Sequence, residues 1–341
     1  MSHSDEYRAI HHGAVIGALS RRSQIAVAGG ERATYLQGLL TNDIVALTPG
    51  TGCYSAWLTP QGRMLTDLDV LESGDLMLLD LPFETMEATL ERLEQFLFSE
   101  DVQIASLAGD LTGVALHGPL AAAMLEGVVQ GVTSLAAWPN YHLEKGSFGD
   151  VPVVVVRNDQ LIVPGYCAYV PQPARDAFNE ALRNRGAVEP GVGNPSESAE
   201  SNGRRSALEA ARIEAGYPLF GVDMTEDTIP LEAGIEGRAI SLTKGCYVGQ
   251  EVIIRVLHRG HGRVAKRLVA FRSRGETFSA GARVVAAGKD VGFITSAAVS
   301  PVNGPIALGY VHRDYVEPGT AVVVNVGDRP VEATVAARPI V

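Results

Sequence analysis

Three observations predict an α+β fold. The chain of 341 residues is longer than one ordinary domain. Its first 190 or so residues twice run through short strands and then an amphipathic helix. Its last eighty residues are short strands divided by glycine turns. The expected architecture is a two-lobed domain of antiparallel sheets with helices over residues 1–260, followed by a small antiparallel β-barrel over 261–341.

The first lobe opens with the apolar strand SQIAVAG (Ser23–Gly29) and a helix over ERATYLQGLL, where Tyr35, Leu36, Leu39 and Leu40 share one side. GCYSAWLTPQGRMLTDLDVLESGDLMLLDL then alternates strands with turns at Pro60-Gln61-Gly62 and Ser73-Gly74-Asp75, which predicts an antiparallel meander. ETMEATLERLEQFLF places Met86, Leu90, Leu93 and Leu97 at helical spacing with acids opposite, so this helix lies on the sheet. The second lobe repeats the plan. It has a strand at Gly113–His117, a small-residue helix from Leu120, and a hairpin in VPVVVVRNDQLIVPGYCAYVP with Asn158-Asp159 as its turn. The helix PARDAFNEALRNRG follows, with Gly186 as its C-terminal cap.

GVGNPSESAESNGRRS (Gly191–Ser206) cannot bury apolar surface and is expected to be a mobile surface loop. ALEAARIEAGYP predicts a short helix stopped by Gly216 and Pro218. KRLVAFRS, ARVVAAG, DVGFITSA, PIALGYVHR, TAVVVNV and VEATVAA supply six strands for the barrel, with the domain boundary near Gly260 to Gly262.

Composition narrows the function. The formal charge of −11 argues against non-specific nucleic-acid binding, which needs a concentrated basic surface. No run approaches the ~18 apolar residues needed to span a bilayer, and the N-terminus resembles neither a secretory signal nor a transit peptide, so a cytoplasmic protein with no membrane partner is expected. Cys53, Cys167 and Cys246 are odd in number and far apart, which argues against a disulfide framework and against a self-contained cluster or four-thiolate metal site.

Three stretches could carry chemistry. In LTKGCYVGQEVI, Gly245 and Gly249 permit tight backbone, and Lys244 could favour the thiolate of Cys246. The alternative is that Cys246 is a small buried side chain. In ARIEAGYPLFGVDM, Glu214 could accept adjacent N–H donors from a ring edge, or Arg212 and Glu214 could form a structural pair at a helix end. The basic run IRVLHRGHGRVAKR could hold an anionic tail or simply be a solvated hinge, and its His258–His261 spacing lacks further metal ligands. No dinucleotide fingerprint, P-loop, G-x-S-x-G or H-E-x-x-H motif is present.

GERATYLQGLLTNDI, TPQGRMLTDLDVL, ARIEAGYPLFGVDM, IPLEAGI and KGCYVGQEV stand in the order found in YgfZ-type folate-binding proteins, relatives of the glycine-cleavage T-protein (aminomethyltransferase). GFITSAAVSP and IALGYVHRDYVEPGTAV are similar to the barrel domain of that superfamily. The resemblance implies a fold that binds tetrahydrofolate or a one-carbon derivative, in a protein that assists assembly or repair of iron–sulfur proteins, its expected partners. It implies that Glu214 grips the pterin and that Arg63 or Arg255 contacts the folate. It also implies that the loop bearing Lys244, Tyr247 and Gln250 lines the ligand cavity, with Cys246 as its distinctive group and no metal site. T-proteins carry Phe-x-Gly where this chain has Cys-Tyr-x-Gly, and an aspartate after the strand matching Leu76–Leu81, where an ungapped register puts Glu87. The lack of that aspartate speaks against aminomethyl transfer. That transfer, or a non-catalytic folate-binding scaffold, is the alternative.

Overall fold

The computed structural model describes residues 3–190, 207–259 and 262–340, without the side chain of Arg259. The loop over 191–206 that the composition marks as mobile lies outside the described residues, as do Gly260 and His261 of the basic run.

The first lobe is a five-stranded antiparallel sheet in the order β3 (Thr51–Leu58), β4 (Met64–Glu72), β5 (Leu76–Pro82), β2 (Arg22–Ala28), β6 (Gln103–Ser106). One face carries Ile25, Val27, Leu68, Val70, Leu79 and Leu81, which pack with Leu36, Leu39 and Leu93 of the helices α2 (Arg32–Leu39) and α3 (Phe83–Gln95). Because strand side chains alternate, the opposite face must carry Gln24, Asp67, Asp69, Leu71, Leu78 and Asp80. All six are buried.

The second sheet has the order β1 (Val15–Ile16), β7 (Leu111–His117), β10 (Gly165–Pro171), β9 (Val151–Arg157), β8 (Leu143–Phe148). Its outer face, with Val114, Leu116, Val155 and Tyr166, packs on Phe178, Leu182 and Leu125 of the helices Arg175–Asn184 and Ala121–Glu126. Its other face turns Tyr169 and Val156 toward Leu71 and Leu78 of the first sheet. The two lobes therefore meet sheet to sheet, across a layer that is apolar at one end and polar at the other.

The last six strands, β11 (Lys266–Ser273), β12 (Arg283–Ala286), β13 (Lys289–Ser300), β14 (Gly304–His312), β15 (Ala321–Val326) and β16 (Arg329–Ala336), close into a barrel in the order β11-β14-β13-β12-β15-β16, with β16 pairing back onto β11. The helices His3–His12 and Ala207–Ala215 form the seam to the first domain, where Ile10, Ile213, Leu268, Ala298 and Leu308 share one core. Arg212 is fully buried there. It donates to Asp223 at 2.7 Å and to Ser296 of the barrel at 2.7 Å.

The meander and the six-stranded barrel match the sequence expectation. The expected hairpin forms as well, β9 pairing antiparallel with β10, but its connection is the longer stretch 158–164, closed by the Asn158 amide donating to the Gly165 carbonyl. Within it the Asn158 side chain is recruited inward to Asp69, and Asp159 binds Arg157. The N-terminal helix His3–His12 and the strands β6 and β8 have no counterpart in the sequence reading.

Candidate functional site

The polar end of the layer between the sheets holds three aspartates around one arginine. Asp67 and Asp69 are two residues apart on β4 and share a face, and Asp80 stands on neighbouring β5. Arg22 Nε donates to Asp80 at 3.1 Å, and its other nitrogens lie 3.8 Å from Asp67 and 4.0 Å from Asp69. Tyr169 and Gln24 also donate to Asp80, at 2.9 and 3.0 Å. Tyr141 and Asn158 donate to the two oxygens of Asp69, at 2.8 and 2.9 Å. Tyr54 donates to Asp67 Oδ2 at 2.7 Å.

Three buried carboxylates around Arg22, with the Arg238 guanidinium beside Asp67, leave a surplus of one negative charge when all are ionised. Burial, reinforced by Asp80 and Asp67 and opposed by Arg22, pushes the Asp69 carboxyl up to about 6. Desolvation likewise raises the Tyr54 and Tyr141 phenols, with the aspartates adding to it, so both remain hydrogen-bond donors. Such a centre can accept N–H groups, stabilise positive charge on a bound molecule, and hold or release a proton at Asp69 near neutrality.

Two buried polar atoms beside this cluster have no hydrogen-bond partner among the described residues: Asp67 Oδ1 and Arg238 Nη2. The Arg238 guanidinium is clamped between two rings, 4.3 Å from the centroid of Tyr54 and 4.1 Å from that of Tyr217. On another side, a cavity of about 190 Å³ reaches the cluster between the sheets and is lined by Arg22, Asp80, Asn158, His117 and Cys167 among others. Asp67 Oδ1, which has Arg22 at 3.8 Å, can still accept a hydrogen bond, and Arg238 Nη2 can still donate one.

The residues singled out in the sequence occupy other positions. Lys244 is buried, and its ammonium donates to the carbonyls of Gln37 (2.6 Å), Leu40 (2.5 Å) and Asn42 (2.9 Å), holding the C-terminal end of α2. Burial pushes Lys244 down to about 8, against the pull of Asp43 and Cys53. The expected role of activating Cys246 is thus replaced by that of a staple. Cys246 is exposed, whereas Cys53 and Cys167 are partly covered and burial drives their thiols up, Cys53 to about 12. Tyr247 is buried beside Tyr54 and Ile240, with its hydroxyl unpartnered. Gln250 is half-buried and begins the short helix Gln250–Ile254.

Gly249 has φ +84°, and a Cβ there would lie 2.5 Å from the Thr59 carbonyl; a Cβ on Gly62 would lie 2.9 Å from Val252. The Cys246 loop and the β3–β4 turn are thus keyed together by two glycines. Arg63 pairs with Asp227 at 2.7 Å on the surface, and exposed Arg255 pairs with Glu251. Glu214 has both oxygens engaged at the barrel seam: Tyr7 donates to one at 2.7 Å, Ser300 and Asn303 donate to the other, Asn303 at 2.9 Å. Asp67, Asp69 and Asp80, which the sequence reading did not single out, stand on the strands themselves and not after Leu76–Leu81. Glu87, the residue at the ungapped position, is exposed on α3. The legible signal was TDLDV and LMLLDLP, in which aspartates interrupt strands otherwise apolar enough to be buried. No three His, Cys, Asp or Glu side chains among the described residues are placed to hold a metal ion.

Comparison with known proteins agrees with this architecture. Residues 1–244 match the GCVT N-terminal domain, and residues 266–341 match the glycine cleavage T-protein C-terminal barrel domain. An aminomethyltransferase of Prochlorococcus marinus is 25% identical over 98% of this chain and 89% of its own length. One from Synechococcus elongatus is 28% identical over 98% and 87%. The crystal structure of glycine cleavage system aminomethyltransferase T from Bartonella henselae superposes with a TM-score of 0.85, covering 99% of this chain and 89% of that one at 23% identity, which is a likeness of fold. With both of its domain models matched in order along the chain, this protein belongs to the glycine-cleavage T-protein family.

Proposed function

We propose that this protein binds tetrahydrofolate, or a one-carbon derivative of it, at the aspartate cluster between the two sheets, and acts on the carried one-carbon unit. The observation that carries the reading is the buried group Asp67, Asp69, Asp80 and Arg22, where Asp67 Oδ1 has Arg22 at 3.8 Å but no hydrogen bond and neighbouring Arg238 Nη2 has no hydrogen-bond partner among the described residues. Tetrahydrofolate supplies ring and bridge nitrogens able to carry a one-carbon unit. The protein supplies the rest. Asp67 and Arg238 would orient the ring, Tyr217 would stand beside it, Asp69 can hold a proton, and the negative charge of the cluster would favour positive charge on the bound molecule. The names of its relatives make aminomethyl transfer the first chemistry to assay. Titration of the full chain with tetrahydrofolate under anaerobic conditions tests binding. Asp67→Asn removes a charge-assisted contact of roughly 1.5–3 kcal/mol, so affinity should fall at least about tenfold; superimposable titrations would reject the site.

A second reading concerns what the folate chemistry serves: maintenance of iron–sulfur proteins, with such proteins as partners. Two observations favour it. Cys246 is the exposed one of the three cysteines, and its loop falls in residues 245–265, between the two stretches that match T-protein domains. Cells carrying Cys246→Ser should then lose iron–sulfur enzyme activity under oxidative stress while folate binding is retained. Glycine-cleavage turnover on supplying the remaining components, with normal iron–sulfur enzymes in those cells, would reject this reading and leave aminomethyl transfer.

A further inference from the structure

The geometry points to a second binding site at the other end of the layer between the sheets. There an apolar pocket takes an aliphatic carboxylate of about eight to ten carbons, with its chain inside and its carboxylate on Lys145. The site stands independently of the folate reading, since none of Arg22, Asp67, Asp69 and Asp80 lines it.

The pocket measures about 320 Å³ and is lined by Leu71, Leu76 and Leu78 of the first sheet, Leu143 and Tyr169 of the second, and Leu107 from the connection between them. Leu71, Leu78, Leu143 and Tyr169 are buried and form a closed floor, while Leu76 and Leu107 are partly exposed at the open side. Apolar cavities of about 150 Å³ already stay dry and take up hydrocarbon. Only four of the lining side chains are polar: Ser73, Asp75, Lys145 and Tyr169. Tyr169 turns its hydroxyl away to Asp80, at 2.9 Å, and the Ser73 hydroxyl is engaged by Asp75 and by the Leu76 carbonyl, each at 2.9 Å. The floor thus offers no free side-chain donor or acceptor, and the part of a ligand that enters must be hydrocarbon. At roughly 30 Å³ for each methylene-sized group, the volume holds a chain of about eight to ten carbons.

The mouth decides the charge of the ligand's head. Asp75 and Lys145 stand there, both exposed, and pair across the two lobes at 2.6 Å. The Lys145 ammonium carries three N–H donors and makes no other hydrogen bond or ion pair among the described residues, so donors remain for an incoming carboxylate. Asp75 is engaged twice, by Lys145 and by Ser73, and keeps the Ser73 hydroxyl when Lys145 turns to a ligand. An ammonium head would have to displace Lys145 from Asp75 and would leave it without a partner. An exposed pair of this kind is weak, so a carboxylate can share Lys145 at little cost.

The test is calorimetric titration of the full chain with hexanoate, octanoate, decanoate and dodecanoate. Affinity should rise about threefold to fourfold per added methylene up to about ten carbons and then level off as the pocket fills. Octylamine should bind more weakly than octanoate. Lys145→Gln should weaken octanoate about twofold to fivefold, and Asp75→Asn, which removes a like charge beside the head, should tighten it by a similar factor. Leu76→Trp fills the pocket from its partly exposed rim and should reduce octanoate affinity at least about tenfold, as loss of two or more methylene contacts requires. Leu107→Trp does the same and serves if Leu76→Trp fails to fold. Affinity that climbs without levelling through dodecanoate, or that neither tryptophan changes, overturns the inference, because the chains would then be adsorbing to the surface at large. A preference for octylamine overturns it as well, and so does the absence of binding by decanoate. None of these results bears on tetrahydrofolate binding, which is titrated separately.

Discussion

Lys244→Met removes an ammonium from three carbonyls without changing much volume. The carbonyl of Leu40 is reached at a buried contact, while those of Gln37 and Asn42 are only partly covered. A buried acceptor left without a donor costs about 1–3 kcal/mol, and each partly covered carbonyl, which water can reach, costs a fraction of that. Against this, burial already penalises the charged lysine, as its depressed value of about 8 records, and methionine is free of that penalty. The net loss is therefore at the lower end of that range, about 1–2 kcal/mol. Urea unfolding should show it as a lower midpoint with an unchanged slope, because the surface exposed on unfolding is the same. Thiol labelling supplies a second signal. With the staple gone, the α2 end and the Cys246 loop separate more often, and Cys53, within the electrostatic reach of Lys244, should label faster than in wild type. A loss below about 1 kcal/mol with unchanged Cys53 labelling would refute the staple and return Lys244 to the role of activating Cys246.

His117 should make the protein acid-sensitive. It is fully buried, and desolvation pulls its imidazole from 6.5 to about 4. The unfolded chain therefore takes up the proton first, so stability present above pH 6.5 is lost as pH falls toward 4. The difference of 2.5 pH units amounts to about 3 kcal/mol, and denaturation of His117→Asn across that window should lack this fall; an equal slope would refute the assignment. Of the three thiols, Cys246 should react first with a disulfide probe, and Cys246→Ser should abolish that fast phase without lowering the thermal midpoint by more than about 2 °C. Gly249→Ala should cost about 2 kcal/mol or more, since a positive φ and a backbone oxygen 2.5 Å from the new Cβ both oppose it; an unchanged midpoint of unfolding would show that the loop gives way freely.

The elements that bury a single apolar face were legible in the sequence. α3 shows its stripe of Leu90 and Leu93, and the barrel strands show their glycine punctuation, because periodicity reports one-sided burial. The inner layer was not legible. Strands buried on both faces lose their alternation, and Asp67, Asp69 and Asp80 make sense only once β4, β5 and the second sheet come together, a long-range pairing that no local window contains. Short motifs drew attention to Lys244 and Glu214 because both are unusual in their surroundings. Their rarity has structural causes, carbonyl capping in one case and a hydroxyl–carboxylate network at the barrel seam in the other. Arg238 carried no sequence signal at all, since its significance lies in two tyrosines from elsewhere in the chain.

The seam between the two family domains is fastened by polar pins rather than by apolar contact alone. Arg212 and Asp223 from the first domain bond Ser296, Asp223 also takes the hydroxyl of Thr295 at 2.5 Å, and Tyr310 donates to the Asp223 backbone at 2.9 Å. Separating the barrel would break the bonds to Ser296 and Thr295 but leave Arg212 paired with Asp223 and Glu209, so the pins fix how the domains dock while the apolar core that both share supplies the main cost of parting them. The barrel is thus a module in ancestry but not in thermodynamics. Heat and denaturant should meet one cooperative body, and a barrel cut free would be a poor guest in any other protein. Substitutions on β13 that touch Ser296 or Thr295 should be felt at the aspartate cluster, through Asp223 and the Tyr217 wall that Arg212 also holds, as changes in ligand affinity with no altered residue near the ligand.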